Sequence, residues 1–285
     1  MWVYWYDPQV VEVYCELNNY IMKIGVTGIT GKMGKAIARL VDEDPIVQMA
    51  SGLVRVGNGF DGSDIGELLG KEKSGRLITS NVDEFFANCQ AVIDFSAPAL
   101  SLDCAKKASE TGKVFICGTT GFSEEEKRQL TAYAESCVIV WSSNMSVGVN
   151  LLMSLAEKVA SVLRDDYDIE IVEMHHKDKI DSPSGTALSL GAAAAKGRSS
   201  SLKEIGQMSR VGKDNKRKRG EIGFASMRGG DVVGDHTVIF AGNGERVELT
   251  HKASNREVFG SGAVRAAIWG SNQKPGFYLM KDVLS

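Results

Sequence analysis

No apolar run in this chain approaches the eighteen or so residues that a membrane-spanning helix needs, so no stretch reads as a membrane span. Cysteine is scarce. Cys15, Cys89, Cys104, Cys117 and Cys137 are odd in number and show no CxxC spacing. That pattern argues against a disulfide framework and a thiolate metal site; it reads as free thiols of a reducing, cytoplasmic compartment. No His, Cys and Asp set stands at ligand spacing, so no metal is expected. A net charge of −3 implies no polyanionic partner, which sets aside nucleic acid. There is no internal repeat and no low-complexity tract. The first residues lack the basic start, unbroken apolar core and small-residue cleavage site of a signal peptide. Residues 1–21 are expected to be an extension without assigned function, ahead of a domain that starts at Met22.

What is present suits two domains. The chain has 285 residues, 43% of them hydrophobic, enough for two cores. From Met22 the pattern alternates strand and helix. Ile24–Thr27, Ile46–Leu53, Ala91–Ser96, Val114–Cys117 and Cys137–Trp141 read as strands. Helical stretches lie between them, one of them announced by Ser123 with Glu126 three residues later. Short apolar strands separated by helices predict a parallel, doubly wound sheet, an α/β domain over residues 22–146. The character then changes. Val147–Leu163 is a long helix pattern, and Tyr167–His176 alternates as a half-buried strand does. Residues 196–219 are polar and basic and read as a solvated loop. Ile222–Met227, Asp231–Ala241 and Arg246–His251 read as antiparallel strands turned by Gly229-Gly230 and Gly242-Asn243-Gly244. Residues 147–255 are therefore expected to form a second, α+β domain. A last helix in residues 256–285 is expected to pack back on the first domain.

Gly28-x-x-Gly31-x-x-Gly34 lies where the first strand ends and a helix begins. Glycines there let a pyrophosphate approach a helix N-terminus, although they also serve ordinary turns. The second strand ends in Ser51-Gly52-Leu53-Val54-Arg55, without the acid that binds a ribose diol. Arg55 suits the 2′-phosphate of NADP, or is a plain surface arginine. Gly118-Thr119-Thr120-Gly121 and Ser142-Ser143-Asn144-Met145 follow the fourth and fifth strands at the same sheet edge and can flank a nicotinamide.

The densest chemistry is the run from Glu173 to Ala187. It holds two of the four histidines side by side, His175 and His176, with Lys179 four residues after the first. Imidazoles exchange protons near neutral pH, and an ammonium holds an anion. Ser184-Gly185-Thr186 at a helix start offers backbone N–H groups to a carboxylate. The pattern suits a small acidic substrate whose chemistry needs a proton. Adjacent histidines are also often a surface accident or a satisfied pair in a sheet.

With these pieces placed, the chain from about Met22 onward resembles the 4-hydroxy-tetrahydrodipicolinate reductase family. The most specific match is His-His-x-x-Lys-x-Asp-x-Pro-Ser-Gly-Thr-Ala at residues 175–187. Gly118–Phe122, Asn144–Asn150, Ile222–Ala225, Gly234–Thr237 and Gly260–Arg265 agree in order and spacing. The resemblance implies a Rossmann-like domain, a second domain with an open mixed sheet and a homotetramer. It implies that Gly28, Ile29, Thr30, Gly31, Lys32 and Met33 cradle the pyrophosphate and that Arg55 holds the adenosine end. Gly118, Thr119 and Thr120 would hold the nicotinamide, with Ser142, Ser143, Asn144 and Met145 closing that pocket. His175 would be the proton donor with Lys179 as its partner, and His176, Gly185 and Thr186 would bind substrate. The implied reaction is NAD(P)H-dependent reduction at C4 of a ring dicarboxylate with loss of water. Many relatives carry Glu-Arg where this chain has Val54-Arg55, so NADPH is expected to serve at least as well as NADH. Two rivals are another two-domain dehydrogenase, acting on homoserine or a semialdehyde, and a silent NADP-binding sensor. The His-His and Pro-Ser-Gly-Thr stretch argues against the first, and the presence of both His175 and Lys179 against the second.

Overall fold

The computed structural model describes residues 21–285; the expected extension lies outside them, apart from residue 21. In chain order the strands are β1 (Met22–Thr27), β2 (Val47–Leu53), β3 (Ile78–Thr79), β4 (Ala91–Asp94), β5 (Val114–Cys117), β6 (Val138–Trp141), β7 (Asp168–His175), β8 (Gly206–Gln207), β9 (Ile222–Arg228), β10 (Gly234–Ala241), β11 (Arg246–Ala253) and β12 (Gly276–Leu279). The longer helices are α1 (Lys32–Glu43), α2 (Pro98–Thr111), α3 (Glu124–Tyr133), α4 (Val147–Leu163), α5 (Gly185–Gly197) and α6 (Glu257–Gly270). The chain divides into two compact units, one of residues up to Met145 together with Phe259–Val283, the other Ser146–Val258.

The first unit is built on a seven-stranded, wholly parallel sheet in the order β12-β6-β5-β4-β1-β2-β3. This is the doubly wound α/β fold that the alternating pattern predicts. Every residue of β4 and β5 is buried, as expected of strands covered on both faces. Two strands were not visible in the sequence pattern. β3 is only two residues long, and β12 follows the last long helix and pairs with β6. Helix starts follow local chemistry. Ser123 and Glu126 close a capping box on α3, and α2 starts on Pro98 and ends at Gly112 with φ 64°. Gly25 is required by packing, because a Cβ there would lie 2.3 Å from the Cys89 sulfur.

The second unit carries a five-stranded mixed sheet in the order β11-β10-β7-β9-β8. Its inner face, including Ile169, Ile171, Val238 and Phe240, packs against Leu152, Ala156 and Ala160 of α4 and Leu190 and Ala194 of α5. Burying each large apolar side chain stabilises by ~1.5–3 kcal/mol. Here the strand expectation needs correcting. β9 runs parallel to β7, and β7 inserts between β9 and β10. Only β10 and β11 form the expected antiparallel hairpin. Gly229-Gly230 is therefore not a hairpin turn. It opens a connection across the end of β7, where the Gly229 N–H donates to the His175 carbonyl at 3.0 Å and the Lys177 N–H to the Gly230 carbonyl at 3.2 Å. A second correction concerns the basic run. Arg210 and Arg217 are not solvated but pair with Glu170 of β7, and Arg217 Nε lies 2.8 Å from Asp168.

Candidate active site

In the first unit, strand order reverses between β1 and β4, and ligands of open α/β sheets bind at the carboxyl ends beside such a switch point. Gly28 leaves β1 with φ 58°, a left-handed conformation that favours glycine. A Cβ at Gly34 would stand 2.3 Å from the Gly28 carbonyl oxygen, so the loop closes on the helix only without a side chain. Gly31 caps α1 without a side-chain bond, and the first turn carries no acid. The first N–H groups of the helix are thus open to an anion, which fits a dinucleotide pyrophosphate. Lys32 is exposed and Thr30 and Met33 are partly so, whereas Ile29 is buried against Gly52 and offers only its backbone.

The other loops of this edge are tied to a group that was absent from the sequence expectations. Asp94, at the end of β4, is wholly buried. Its carboxylate accepts from the hydroxyls of Thr27, Ser96 (2.5 Å), Ser101 and Thr119 (2.8 Å). Thr119 in turn accepts from the Ser96 N–H at 2.9 Å. One buried acid therefore joins the ends of β1, β4 and β5 and the first turn of α2. Gly118 is packed by the Phe95 ring, and Thr120 is exposed. Ser142 donates to the Asn144 carbonyl at 2.6 Å, which folds that loop on itself; Ser143 is exposed and Asn144 half-buried. Met145 is fully buried, so its side chain belongs to the core and is not displayed by the loop. Arg55 is exposed just beyond β2.

In the second unit the His-His stretch starts as strand and ends as helix. Alternation along β7 turns Glu173 and His175 to the same, buried face. The His175 Nδ1–H donates to Glu173 Oε2 at 2.5 Å. Arg228 of β9 grips the same carboxylate through both terminal nitrogens at 2.9 Å, and the Ser184 N–H donates to it at 3.2 Å. The His236 ring of β10 lies edge-on to His175 with centroids 5.0 Å apart, and its Nε2 is 3.0 Å from the Ser184 hydroxyl. That hydroxyl also caps α5 by accepting from the Ala187 N–H. Beyond the strand, the Lys179 N–H closes a turn on the His176 carbonyl, leaving His176 half-buried. Lys179 Nζ lies 2.7 Å from Asp181. The Gly185 N–H also bonds Asp181, and there is open space beside Gly185. Thr186 follows in the first turn of α5, half-buried. Lys179 and the α5 N-terminus together already hold a carboxylate.

The electrostatics follow from burial and pairing. Burial pulls the His175 imidazole below its ordinary value; Glu173 opposes this, while Lys179 and Arg228 add to it. Burial alone would raise Glu173, but Arg228, Ser226 and His175 hold it below the usual carboxylate range. Burial, with His175 alongside, depresses His236 to about 4, so it is neutral near pH 7. A buried imidazole with a fixed carboxylate partner, beside a cation and a helix N-terminus, can pass a proton to an anionic substrate.

The expected residues thus gather on two scaffolds. The glycine loop and the loops after β5 and β6 share the carboxyl edge of the parallel sheet, and His175, His176, Lys179, Gly185 and Thr186 share the end of β7 and the start of α5. Sequence reasoning missed Asp94, Glu173, Arg228 and His236. Glu173 carried a signal, since a residue two before His175 on a strand shares its face. Arg228 carried none, because its place depends on β9 lying beside β7. Among the described residues no group of three or more His, Cys, Asp or Glu could hold a metal.

Two family descriptions match the chain: Dihydrodipicolinate reductase, N-terminus, over residues 22–145, and Dihydrodipicolinate reductase, C-terminus, over residues 148–284. The chain is 49% identical over 263 residues to 4-hydroxy-tetrahydrodipicolinate reductase of Beijerinckia indica, covering 92% of this chain and 97% of the relative. It is 46% identical over 263 residues to the enzyme of the same name from Roseobacter denitrificans, again covering 92% and 97%. A solved structure, dipicolinate-bound dihydrodipicolinate reductase from Paenisporosarcina sp. TG-14, superposes with a TM-score of 0.70 at 24% identity, over 91% of this chain and 98% of that one. At that identity the likeness speaks for the fold alone.

Proposed function

Because the chain belongs to the dihydrodipicolinate reductase family, we infer that it reduces 4-hydroxy-tetrahydrodipicolinate to tetrahydrodipicolinate, with loss of water, in lysine biosynthesis. It is an oxidoreductase of the NAD(P)H-using kind. The observation that carries the assignment of parts is the end of β7. There the buried His175, held by Glu173, stands in the same stretch as a cation and a helix N-terminus that bind a carboxylate.

The roles follow. When bound, NAD(P)H supplies the hydride. The Gly28–Met33 loop and the open N-terminus of α1 hold the pyrophosphate, and Arg55 the adenosine phosphate, which favours NADPH. Gly118, Thr119 and Thr120, fixed from below by Asp94, position the nicotinamide together with the Ser142–Met145 loop. Lys179 and the Gly185 N–H hold a substrate carboxylate in the manner in which they hold Asp181, with the Thr186 N–H beside them. His176 binds the substrate alongside. His175 gives a proton where hydride addition leaves excess electron density, a general-acid task. The names of the curated relatives, both 4-hydroxy-tetrahydrodipicolinate reductases at 46% and 49% identity, support this substrate class.

The chain works as a homotetramer in this reading. One face of the second sheet packs on helices, and the other presents Val172, Met174, Ala225, Met227 and Ile239 at least partly exposed. A sheet face that leaves apolar side chains exposed in this way suits closed, symmetric association. The free buried thiols Cys89, Cys104, Cys117 and Cys137 suit a reducing cytoplasm, and among the described residues no helix is long and apolar enough to cross a membrane. The test is oxidation of NADPH on addition of freshly generated 4-hydroxy-tetrahydrodipicolinate. Absence of turnover that depends on that substrate would overturn the assignment.

A further inference from the structure

Glu173 is the least accessible charged group of the second unit, and the reaction as set out above gives it no step of its own. Its two oxygens are spoken for by Arg228, by the Ser184 N–H and by His175 Nδ1. A carboxylate held from three sides keeps a fixed direction. An ionised carboxylate only accepts, so the nitrogen facing it carries a hydrogen. That leaves Nε2 as the one ring nitrogen free to exchange a proton. Nε2 faces Gly234 at the start of β10, where a Cβ would stand 2.9 Å from it. A side chain at Gly234 would crowd that nitrogen.

We propose that Glu173, clamped by Arg228 and the Ser184 N–H, is the positioning residue of the acid: it binds His175 Nδ1–H and leaves Nε2, beside Gly234, as the nitrogen that delivers the proton. This rests on His175 being the proton donor. In the step the Nε2–H bond breaks, its proton goes to the substrate and the electron pair stays on Nε2. Nδ1 keeps its hydrogen, donated to Glu173; the imidazolium becomes a neutral imidazole, and solvent restores the proton to Nε2. The charged and titratable groups that face the ring are Glu173 on β7, Arg228 on β9, His236 on β10 and Lys179 in the loop after β7. Among them Glu173 alone favours the imidazolium, so its removal makes His175 harder to protonate.

The experiment compares Glu173→Gln, Gly234→Ala and His175→Ala in the full-length enzyme, with kcat, substrate KM and NADPH affinity measured across pH. Glu173→Gln is expected to lower kcat by ~10²-fold or more, with substrate KM and NADPH affinity within about twofold of the parent. Because an acid must be protonated to act, the fall of kcat with rising pH should move to lower pH. Gly234→Ala is expected to lower kcat by crowding Nε2, without moving that limb. If Glu173→Gln does not fold, Glu173→Asp keeps a charge against Arg228, withdraws it from the ring, and carries the same expectation. Loss of kcat in His175→Ala with an unchanged rate and pH limb in the Glu173 variant overturns the proposal alone. So does a fully active Gly234→Ala. A His175→Ala enzyme with normal kcat overturns the acid assignment and the proposal with it.

Discussion

Replacing Asp94 with asparagine keeps the shape of the side chain and changes what it can accept. An ionised carboxylate offers about four lone-pair positions, and Thr27, Ser96, Ser101 and Thr119 all donate to it. An amide must turn its NH2 toward one pair, either Thr27 and Ser96 or Ser101 and Thr119. The hydroxyls of that pair lose their acceptor altogether, while the other two keep a neutral one. A hydrogen bond to a charged group contributes ~1.5–3 kcal/mol, so two give ~3–6 kcal/mol before relaxation. Ser101 can turn toward the Ser96 hydroxyl, 3.5 Å away, and recover part of this. Thr119 has less room, since it already accepts from the Ser96 N–H. A loss of about 3 kcal/mol is expected, which leaves the protein folded given typical stabilities of ~5–15 kcal/mol. Urea unfolding of variant and parent, with slopes compared, measures it. The same change loosens Thr119 and Ser96 at the switch point, so NADPH should bind ~10-fold more weakly, about 1.4 kcal/mol. An unfolding midpoint and NADPH affinity both equal to the parent's would refute the view that Asp94 ties these loops together.

His175→Ala should lower kcat by ~10²–10⁴ while NADPH binding survives, because the cofactor loops belong to the other unit. Lys179→Ala should also cost kcat and raise substrate KM, His176→Ala should act chiefly on KM, and the double variant of His175 and Lys179 should lose less than the product of the single losses; steady-state kinetics decide this. Arg55→Ala should raise the KM for NADPH more than that for NADH, and equal effects would show that Arg55 does not read the 2′-phosphate. His236 titrates near 4 in the folded state against an ordinary value near 6.5, so between those values the unfolded chain binds the extra proton and the native state does not. Its contribution, on the order of 3 kcal/mol, is therefore present above about pH 6.5 and lost as pH falls toward about 4, and His236→Gln should flatten that part of a stability–pH curve. Sedimentation at micromolar concentration should give a tetramer, and a monomer would refute association through the outer sheet face.

Much of the protein was decided locally and could be read from the chain. Apolar strands spaced by helices set the parallel sheet, Gly28, Gly31 and Gly34 mark the turn into α1, and Ser123 with Glu126 starts α3, because each depends only on near neighbours in sequence. The site was half legible for the same reason. His175, Lys179 and Gly185 fall within eleven residues of one another, and a strand passing into a capped helix brings such residues together by itself. What the tertiary structure alone decided is which groups surround them. β9 and β10 are joined by a short connection that looks like a hairpin turn, and only the insertion of β7 between them shows otherwise. That insertion puts Arg228 on one side of Glu173 and His236 on the other, from positions more than fifty residues away. Asp94 likewise gathers hydroxyls from a strand, a helix and a loop. Local sequence determines what a residue is and which face it takes, but strand order determines its partners, and the partners set where the proton sits.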